Sequence, residues 1–597
     1  MCYYLTYIVR RGGNALSTWQ KTFQRWQQAE TIPASLKKSL REMEHDTEQI
    51  KDAFYNYITF GTGGMRGILG PGINRMNVFT VRRAVEGLAR FISEHRVNYK
   101  DRGVVIGYDS RHQSREFALE AAKVLGVHGI RSYVFKTLCP TPLLSFAVRY
   151  FGATAGIMIT ASHNPPNYNG FKVYNEQGSQ ITSEEAEAII ANINGVTNEL
   201  AVRVLPEEQL ERGQLLQWVN GEAHAAYLEQ LKTITKLDAD TVSLEKDLAI
   251  VFTPLHGTAL DLVDRGLRQL NFTNVHYVKE QTVADPNFST VASPNPEEKQ
   301  AFTEAIALGN KVGADILLAT DPDADRLGVA VKDGRGEYTV LTGNELGCLL
   351  LDYILRHTDP LLFPSARMIK TVVTTELGRK IAASYGVETL DTLTGFKYIG
   401  EKINEFDATG ETFIFGFEES FGYLINSFAR DKDGVQATVM AVELAYYWQQ
   451  KGKTLLQALD ELYARHGYFK EGLDDLVLEG VTGQKKIQAI METFRHDLRD
   501  AFGSIKTVAV EDYLAQRKVF VQEDERKESL SLPRENALKY VLEENCWVCL
   551  RPSGTEPKLK WYYGAYGKTR EEVEARYDMM QETLREIVPA ALKRVVS

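Results

Sequence analysis

In Thr160-Ala161-Ser162-His163-Asn164-Pro165, a serine offers a hydroxyl able to carry a phosphoryl group. Far along the chain, Asp321-Pro322-Asp323-Ala324-Asp325-Arg326 places three carboxylates at alternate positions ahead of an arginine. Alternate carboxylates on a tight loop converge on one hard cation, and Mg²⁺ suits a centre that must leave room for phosphate oxygens. Without a cation the same carboxylates repel one another. Arg326 adds a guanidinium for the same phosphoryl group. A third segment, Arg551-Pro552-Ser553-Gly554-Thr555, combines a guanidinium, two hydroxyls and backbone N–H groups around a glycine. That set suits a phosphate dianion, with Lys560 assisting. The three segments together read as phosphoryl transfer through a phosphoserine.

Each segment also has a plainer reading. Ser162 lacks the G-x-S-x-G elbow, and an adjacent histidine is badly placed to be its triad base. Storage of a phosphoryl group, with His163 and Lys172 donating to its oxygens, competes with an ordinary Ser-His-Asn turn. Lys172 is also the residue expected to act as general base. The acidic loop is no calcium loop, since its sixth residue is Arg326 and its twelfth Lys332. An aspartyl-phosphate reading of Asp-x-Asp leaves Ser162 without a role. In Gly416-Phe417-Glu418-Glu419-Ser420, the carboxylate of Glu418 and the hydroxyl of Ser420 can grip vicinal sugar hydroxyls. Thr394-Gly395-Phe396-Lys397 has the same standing. Gly61-Thr62-Gly63-Gly64-Met65-Arg66-Gly67 reads as a glycine-rich turn without a Walker lysine, so nucleotide binding is not expected. Arg66 reaches a phosphate if that turn folds back over Ser162. Tyr108-Asp109-Ser110-Arg111 reads as a buttress.

These loops need a frame. Three stretches share one rhythm of strand, loop, helix and strand, within Gly103–Phe135, Leu248–Val278 and Met368–Leu390. Recurring at intervals of about 120 to 145 residues, they predict three related α/β domains with parallel sheets. After Gly467 the pattern changes to a strand-rich block with helices expected over Lys485–Phe502 and Thr569–Lys593, an α+β domain. The expected limits are 1–222, including a helical, charged lead-in, then 223–335, 336–465 and 466–597.

The 597 residues suit about four domains. The net charge of −10 gives no footprint for nucleic acid, so cationic groups for a phosphorylated substrate must be concentrated locally. Five cysteines form no disulfide framework, and Cys546 and Cys549 read as strand residues rather than a zinc or redox pair. The apolar run at the N-terminus is too short to span a membrane, and the protein is expected to be cytoplasmic, without membrane or nucleic-acid partners.

These motifs, in this order, resemble the α-D-phosphohexomutase family of phosphoglucomutases and phosphomannomutases, from about Thr47 onward. FGTGGMRG, the YDSRH segment, TGFKYIG and RPSGTEP are most similar to the branch of bacterial α-phosphoglucomutases and phosphopentomutases. The resemblance implies four domains around a central cleft, with Ser162 as phosphoserine. It implies Mg²⁺ bound by Asp321, Asp323, Asp325 and a phosphoserine oxygen. It places His163, Lys172, Arg66 and Arg326 around the transferring group. Glu418 and Ser420 then contact the sugar, while Arg551, Ser553, Gly554 and Thr555 anchor the distal phosphate. The implied reaction interconverts glucose 1-phosphate and glucose 6-phosphate, primed by glucose 1,6-bisphosphate, in a monomer or weak homodimer. Pentose or mannose phosphates are alternatives, because Phe417 stands where many members have glycine directly before the glutamate. A bisphosphate synthase, a metal-dependent phosphatase and a non-catalytic interaction protein are the remaining alternatives; the last would be expected to have lost Ser162 or the aspartates.

Overall fold

The computed structural model describes residues 17–61, 63–478, 481–496, 500, 502–521, 526–553 and 558–596. The roles expected of Gly554 and Thr555 therefore lie outside the described residues. No helix among those described is long and apolar enough to cross a membrane.

The three expected strand-helix-strand units are present. They are Val104–Tyr108, Ser114–Val127 and Ser132–Phe135; Ile250–Thr253, Leu260–Gln269 and Val275–Tyr277; and Ala366–Thr371, Glu376–Ser384 and Glu388–Thr392. Within each unit the two strands pair in parallel, as the helical crossover requires. A further strand then joins each unit in parallel beside its first strand: Ala155–Ile159, Ile316–Thr320 and Thr412–Glu418. Next the chain reverses, and Tyr168–Tyr174, Leu327–Lys332 and Gly422–Leu424 pair antiparallel with those strands.

This corrects the expectation of parallel sheets: all three are mixed. The reversal has a physical consequence. A parallel return needs a long crossover, whereas an antiparallel return needs only a short connection at the strand end. The three connections so fixed are the serine loop, the acidic loop and the Glu418 loop, at equivalent places in three sheets.

The first sheet is completed by Gly64–Ile68 at one edge and Leu216–Val219 at the other. Gly64–Gly67 of the glycine-rich segment is therefore strand rather than turn. Arg66 sits within a strand paired with Tyr168–Tyr174, opposite Gly170. The second sheet takes in Tyr338–Val340, so the limit expected at 335 falls inside it.

The fourth sheet is antiparallel throughout, with seven strands running from Tyr468–Val477 at one edge to Lys527–Ser529 at the other. The helices Val481–His496 and Arg570–Val596 accompany it. The first starts earlier and stops sooner than expected, and Phe502 lies beyond it, buried in the core of this region. Cys546 and Cys549 are buried free thiols at the strand Trp547–Pro552.

The strands Val104–Tyr108, Ala155–Ile159 and Ile316–Thr320 are buried along their whole length, as expected of sheets covered on both faces. One apolar core runs from Phe135 and Tyr227 through Phe252 and Leu318 to Phe417 and Met440, joining the first three sheets. Another joins Val372, Val373 and Tyr398 to Trp547, Cys549 and Tyr562 of the fourth. At that seam the buried Lys539 ammonium donates to the Val372 carbonyl at 2.7 Å.

Candidate active site

Ser162 follows the buried strand Ala155–Ile159 and has φ of 51°, a left-handed conformation unfavourable for a side chain. The surrounding structure enforces it. The Ser162 N–H donates to Thr160 Oγ1 at 2.8 Å, and the Ser162 carbonyl accepts from Arg111 Nη2 at 2.6 Å. The same guanidinium also holds the carbonyls of Asn164, Pro165 and Tyr168. Arg111 is buried, with Asp109 at 3.4 Å and the Phe288 ring over its other side. The segment read as a buttress therefore grips the serine loop by its backbone.

The serine hydroxyl does not point to water. It donates to Asp321 Oδ2 at 2.6 Å and lies 3.2 Å from His163 Nδ1. Burial, reinforced by the positive charges of Arg326 and Arg66, pushes the His163 imidazole well below its ordinary value. His163 is therefore neutral, able to donate one hydrogen bond without adding charge. Arg66 donates to Asn164 Oδ1 at 2.6 Å, which puts it on the serine loop as the sequence suggested.

Asp321, Asp323 and Asp325 each bring a carboxylate oxygen within 4.8 Å of the others, and all three are buried. The loop is shaped by its own backbone: Asp325 and Arg326 donate their N–H groups to Asp321 Oδ1 at 3.1 and 3.0 Å. Gly257 lies against it so closely that a Cβ there would meet Pro322 Cα at 2.4 Å. Thr141, at the start of the helix Thr141–Tyr150, donates its backbone N–H to the Asp323 carbonyl and its hydroxyl to Asp323 Oδ2. The acidic loop is thus held both by that helix and by the Ser162 hydroxyl.

Two lysines balance this charge. Lys172 Nζ lies 2.8 Å from Asp323 and 3.3 Å from Asp325; Lys432 Nζ lies 3.2 Å from Asp325. Burial and the neighbouring carboxylates push Asp321 well above its ordinary value, whereas Asp323 and Asp325, despite their burial, are held low by Lys172 and Lys432. Lys172 itself is raised, because the attraction of Asp323 and Asp325 outweighs its burial. A raised ammonium suits a donor to phosphate oxygens. One oxygen of Asp323 and one of Asp325 are buried with no hydrogen-bond partner among the described residues. Orphaned carboxylate oxygens facing one another are what a hard divalent cation satisfies, so the donor set fits Mg²⁺.

The Glu418 loop meets the acidic loop directly. Leu327 donates its N–H to the Phe421 carbonyl at 3.1 Å, and Arg326 bridges to Gly422. Burial pushes Glu418 up to about 7, against the pull of Lys432. Its Oε1 accepts the Gly395 N–H at 2.8 Å, which joins the two expected sugar segments. Nearby, the Thr394 hydroxyl is buried without a partner among the described residues, and burial lowers Lys397. Ser420 is half-buried beside Glu418.

Arg551 closes this face from the fourth sheet. Its Nε pairs with Glu535 at 2.5 Å, and the Ser553 N–H donates to the Lys558 carbonyl at 2.7 Å. Lys560 is lowered by burial and by Lys558 and Arg551, while Glu297 and Glu419 act on it in the opposite direction. Candidate residues of the first three sheets are thus linked by hydrogen bonds, and Lys560 of the fourth lies within electrostatic reach of Glu297 and Glu419. The arrangement can hold a cation beside a hydroxyl and present further cationic groups to a second anion.

Four matches to family models run in chain order. They are the phosphoglucomutase/phosphomannomutase alpha/beta/alpha domains I, II and III over residues 57–199, 225–334 and 342–466, and the C-terminal domain over 504–582. The chain belongs to this family. The phosphoglucomutase of Staphylococcus haemolyticus is 38% identical over 531 residues, covering 88% of this chain and 94% of the relative. A Staphylococcus aureus phosphoglucomutase is 39% identical over 528 residues, covering 88% and 93%. The open form of parafusin, a phosphoglucomutase from Paramecium, has TM-score 0.64 at 16% identity, covering 90% of this chain and 96% of that one. A Burkholderia thailandensis phosphoglucomutase/phosphomannomutase family protein has TM-score 0.62 at 18% identity, covering 89% and 97%. These two share the family's fold with this chain.

Three residues of the centre were not singled out from the sequence. Lys432 lies in Arg430-Asp431-Lys432-Asp433, where Asp431 and Asp433 are buried and Tyr174 donates to Asp431 at 2.8 Å. Thr141 carries no sequence signal of its own. Glu297 pairs with Arg326 across 29 residues, and only its place after Pro296 in a turn-rich segment marks it.

Proposed function

We propose that this protein interconverts glucose 1-phosphate and glucose 6-phosphate, with Ser162 carrying the phosphoryl group between them. The observation that carries this reading is the Ser162 hydroxyl 2.6 Å from Asp321, inside a triad of buried aspartates. The preference for glucose is supported by the name shared by relatives at 38–39% identity.

Asp321, Asp323 and Asp325 would hold Mg²⁺, which when bound supplies charge neutralisation at the phosphoryl oxygens. The chain's own groups do the rest. Arg326, Lys172 and neutral His163 donate to the transferring group, and Arg66 approaches it from the first strand. Glu418 and Ser420, with the Thr394–Lys397 segment, hold the sugar hydroxyls. Arg551, Ser553 and Lys560, with Gly554 and Thr555, grip the phosphate that is not reacting. Phosphorylated Ser162 gives its phosphoryl group to the free hydroxyl of the bound monophosphate. The resulting glucose 1,6-bisphosphate reorients, and its other phosphoryl group returns to the serine. Such chemistry rests on positioning and charge balance more than on covalent help from the protein. Shielding from water preserves the phosphoserine.

A coupled assay tests this reading, with Mg²⁺, a trace of glucose 1,6-bisphosphate, and glucose, mannose or ribose 1-phosphate. Isomerisation of glucose 1-phosphate without release of inorganic phosphate is expected. Stoichiometric phosphate release without isomerisation would make the protein a phosphatase instead.

A further inference from the structure

Arg326 is the one arginine contributed by the acidic loop, and its guanidinium is held in an unusual way. Its backbone N–H donates to Asp321 Oδ1, while the other oxygen of Asp321 accepts the Ser162 hydroxyl. Its side chain is largely buried, and Nη1 donates to Glu297 Oε1. Nε is buried with no hydrogen-bond partner among the described residues. Asp325 Oδ1 lies 3.9 Å from that nitrogen, too far for a hydrogen bond.

Glu297 is itself held on a fixed segment. Its N–H donates to Asn295 Oδ1 at 3.2 Å. The preceding Pro296 packs so tightly on Gly328, in the strand after the acidic loop, that a Cβ at Gly328 would meet the Pro296 carbonyl at 2.6 Å. The carboxylate therefore approaches Arg326 from an element locked to the same sheet.

Two carboxylates compete for this guanidinium. Contact with Asp325 would draw Arg326 onto a triad carboxylate and leave nothing for a phosphoryl oxygen. Contact with Glu297 draws it the other way and leaves Nε without an acceptor. A buried guanidinium N–H without an acceptor is costly, and an anionic ligand removes that cost. Arginine's planar fork makes the choice of occupied nitrogen decide where the remaining donors point.

We propose that Glu297 is the positioning residue for Arg326: by holding Nη1 it keeps the guanidinium off Asp325 and leaves Nε for the phosphoryl group at Ser162. This rests on the mutase reading above. Glu297 touches no reacting atom; it hydrogen-bonds Arg326 and reaches Lys560 only through its charge, in the way that outer contacts orient the groups bound to a reacting centre.

The test separates the two ends of the substrate. In a Ser162→Ala background with Mg²⁺, glucose 1,6-bisphosphate fills both the Ser162 end and the Arg551 end. Glucose 1-phosphate, bound by its phosphate at Arg551, leaves the Ser162 end with a hydroxyl only. Calorimetric titration should show Glu297→Gln weakening bisphosphate binding about tenfold. Monophosphate binding should change by less than about twofold. With Ser162 present, the same substitution should lower kcat about 10- to 100-fold with little change in KM.

Equal weakening of both ligands, or no weakening of either, would overturn the proposal, since a merely structural residue gives one or the other. Should Glu297→Gln fail to fold, Glu297→Asp serves in its place. A double-mutant cycle with Arg326→Lys adds a second readout, because the two effects on bisphosphate binding must be non-additive; additive effects would contradict the assignment. If the Ser162→Ala protein binds neither ligand, the mutase reading fails first and this inference with it.

Discussion

The hydroxyl of Ser162 and the carboxylate of Asp321 meet at 2.6 Å, although 159 residues separate them in the chain. Each sits at the reversal of a mixed sheet, where a parallel strand turns back antiparallel, and the two reversals face one another. Thr141, at the start of the helix Thr141–Tyr150, adds a second link to the acidic loop through its N–H and its hydroxyl on Asp323. A phosphoryl carrier and a cation site are thereby produced by repeating one structural device in successive domains.

The acidic loop holds its aspartates at a cost to the metal-free protein. Asp321 is pushed well above its ordinary value by burial, with Asp323 and Asp325 adding repulsion. A carboxyl raised in the folded state lowers stability once the pH exceeds its unfolded value. Asp321→Asn should therefore raise the melting temperature of metal-free protein at pH 7.5, and the gain should shrink as the pH falls. It should also abolish the stabilisation that Mg²⁺ gives the wild type, as read by thermal unfolding with and without chelator. Activity should be lost with it.

Gly257 sets the shape of the acidic loop from outside it, because a Cβ there would meet the Pro322 backbone at 2.4 Å. Gly257→Ala must push Pro322 away and so spread Asp321 from Asp323. The expected result is at least about a tenfold weaker apparent affinity for Mg²⁺ in the coupled assay. The melting temperature should fall as well, because the clash is with backbone atoms of Pro322 rather than with a movable side chain.

Glu471, on the strand Tyr468–Val477, meets the third sheet's domain at Asn344, whose Nδ2 donates to it at 3.1 Å. Its other oxygen is buried with no partner among the described residues, and burial pushes it up to about 7 from the ordinary 4.5. The folded protein therefore binds the extra proton between those values, and stability falls as pH rises from about 4.5 to about 7, with the full penalty above. Glu471→Gln should remove that slope and raise stability most above pH 7, as measured by chemical denaturation across pH. A variant whose stability follows pH as the wild type does would show that this contact does not titrate.

Much of the site is legible in the sequence because its chemistry is local. Ser162 and the three aspartates lie in short loops, and Arg551 at the end of a strand, in segments whose residue types speak for themselves. The strand-helix-strand units are equally visible, since their helices show apolar spacing and their strands are short apolar runs. The reversal into antiparallel pairing is not visible. Ala155–Ile159 and Ile316–Thr320 are buried on both faces, so they lack the alternation that would distinguish the two pairings. Lys432 and Glu297 are hidden for another reason. Each is an ordinary charged residue in a polar segment, and only tertiary contact with Asp325 or Arg326 gives it a place in the site.

The central claim is that Ser162 itself carries the phosphoryl group, and peptide mass spectrometry tests it most directly. Protein incubated with glucose 1,6-bisphosphate and Mg²⁺ should carry one phosphoryl group, on the peptide containing Ser162. Addition of excess glucose 1-phosphate should transfer that group to the sugar and regenerate the bisphosphate, and Ser162→Ala should show neither event. A phosphoryl group found instead on one of the aspartates, or full isomerisation by the Ser162→Ala protein, would contradict the account.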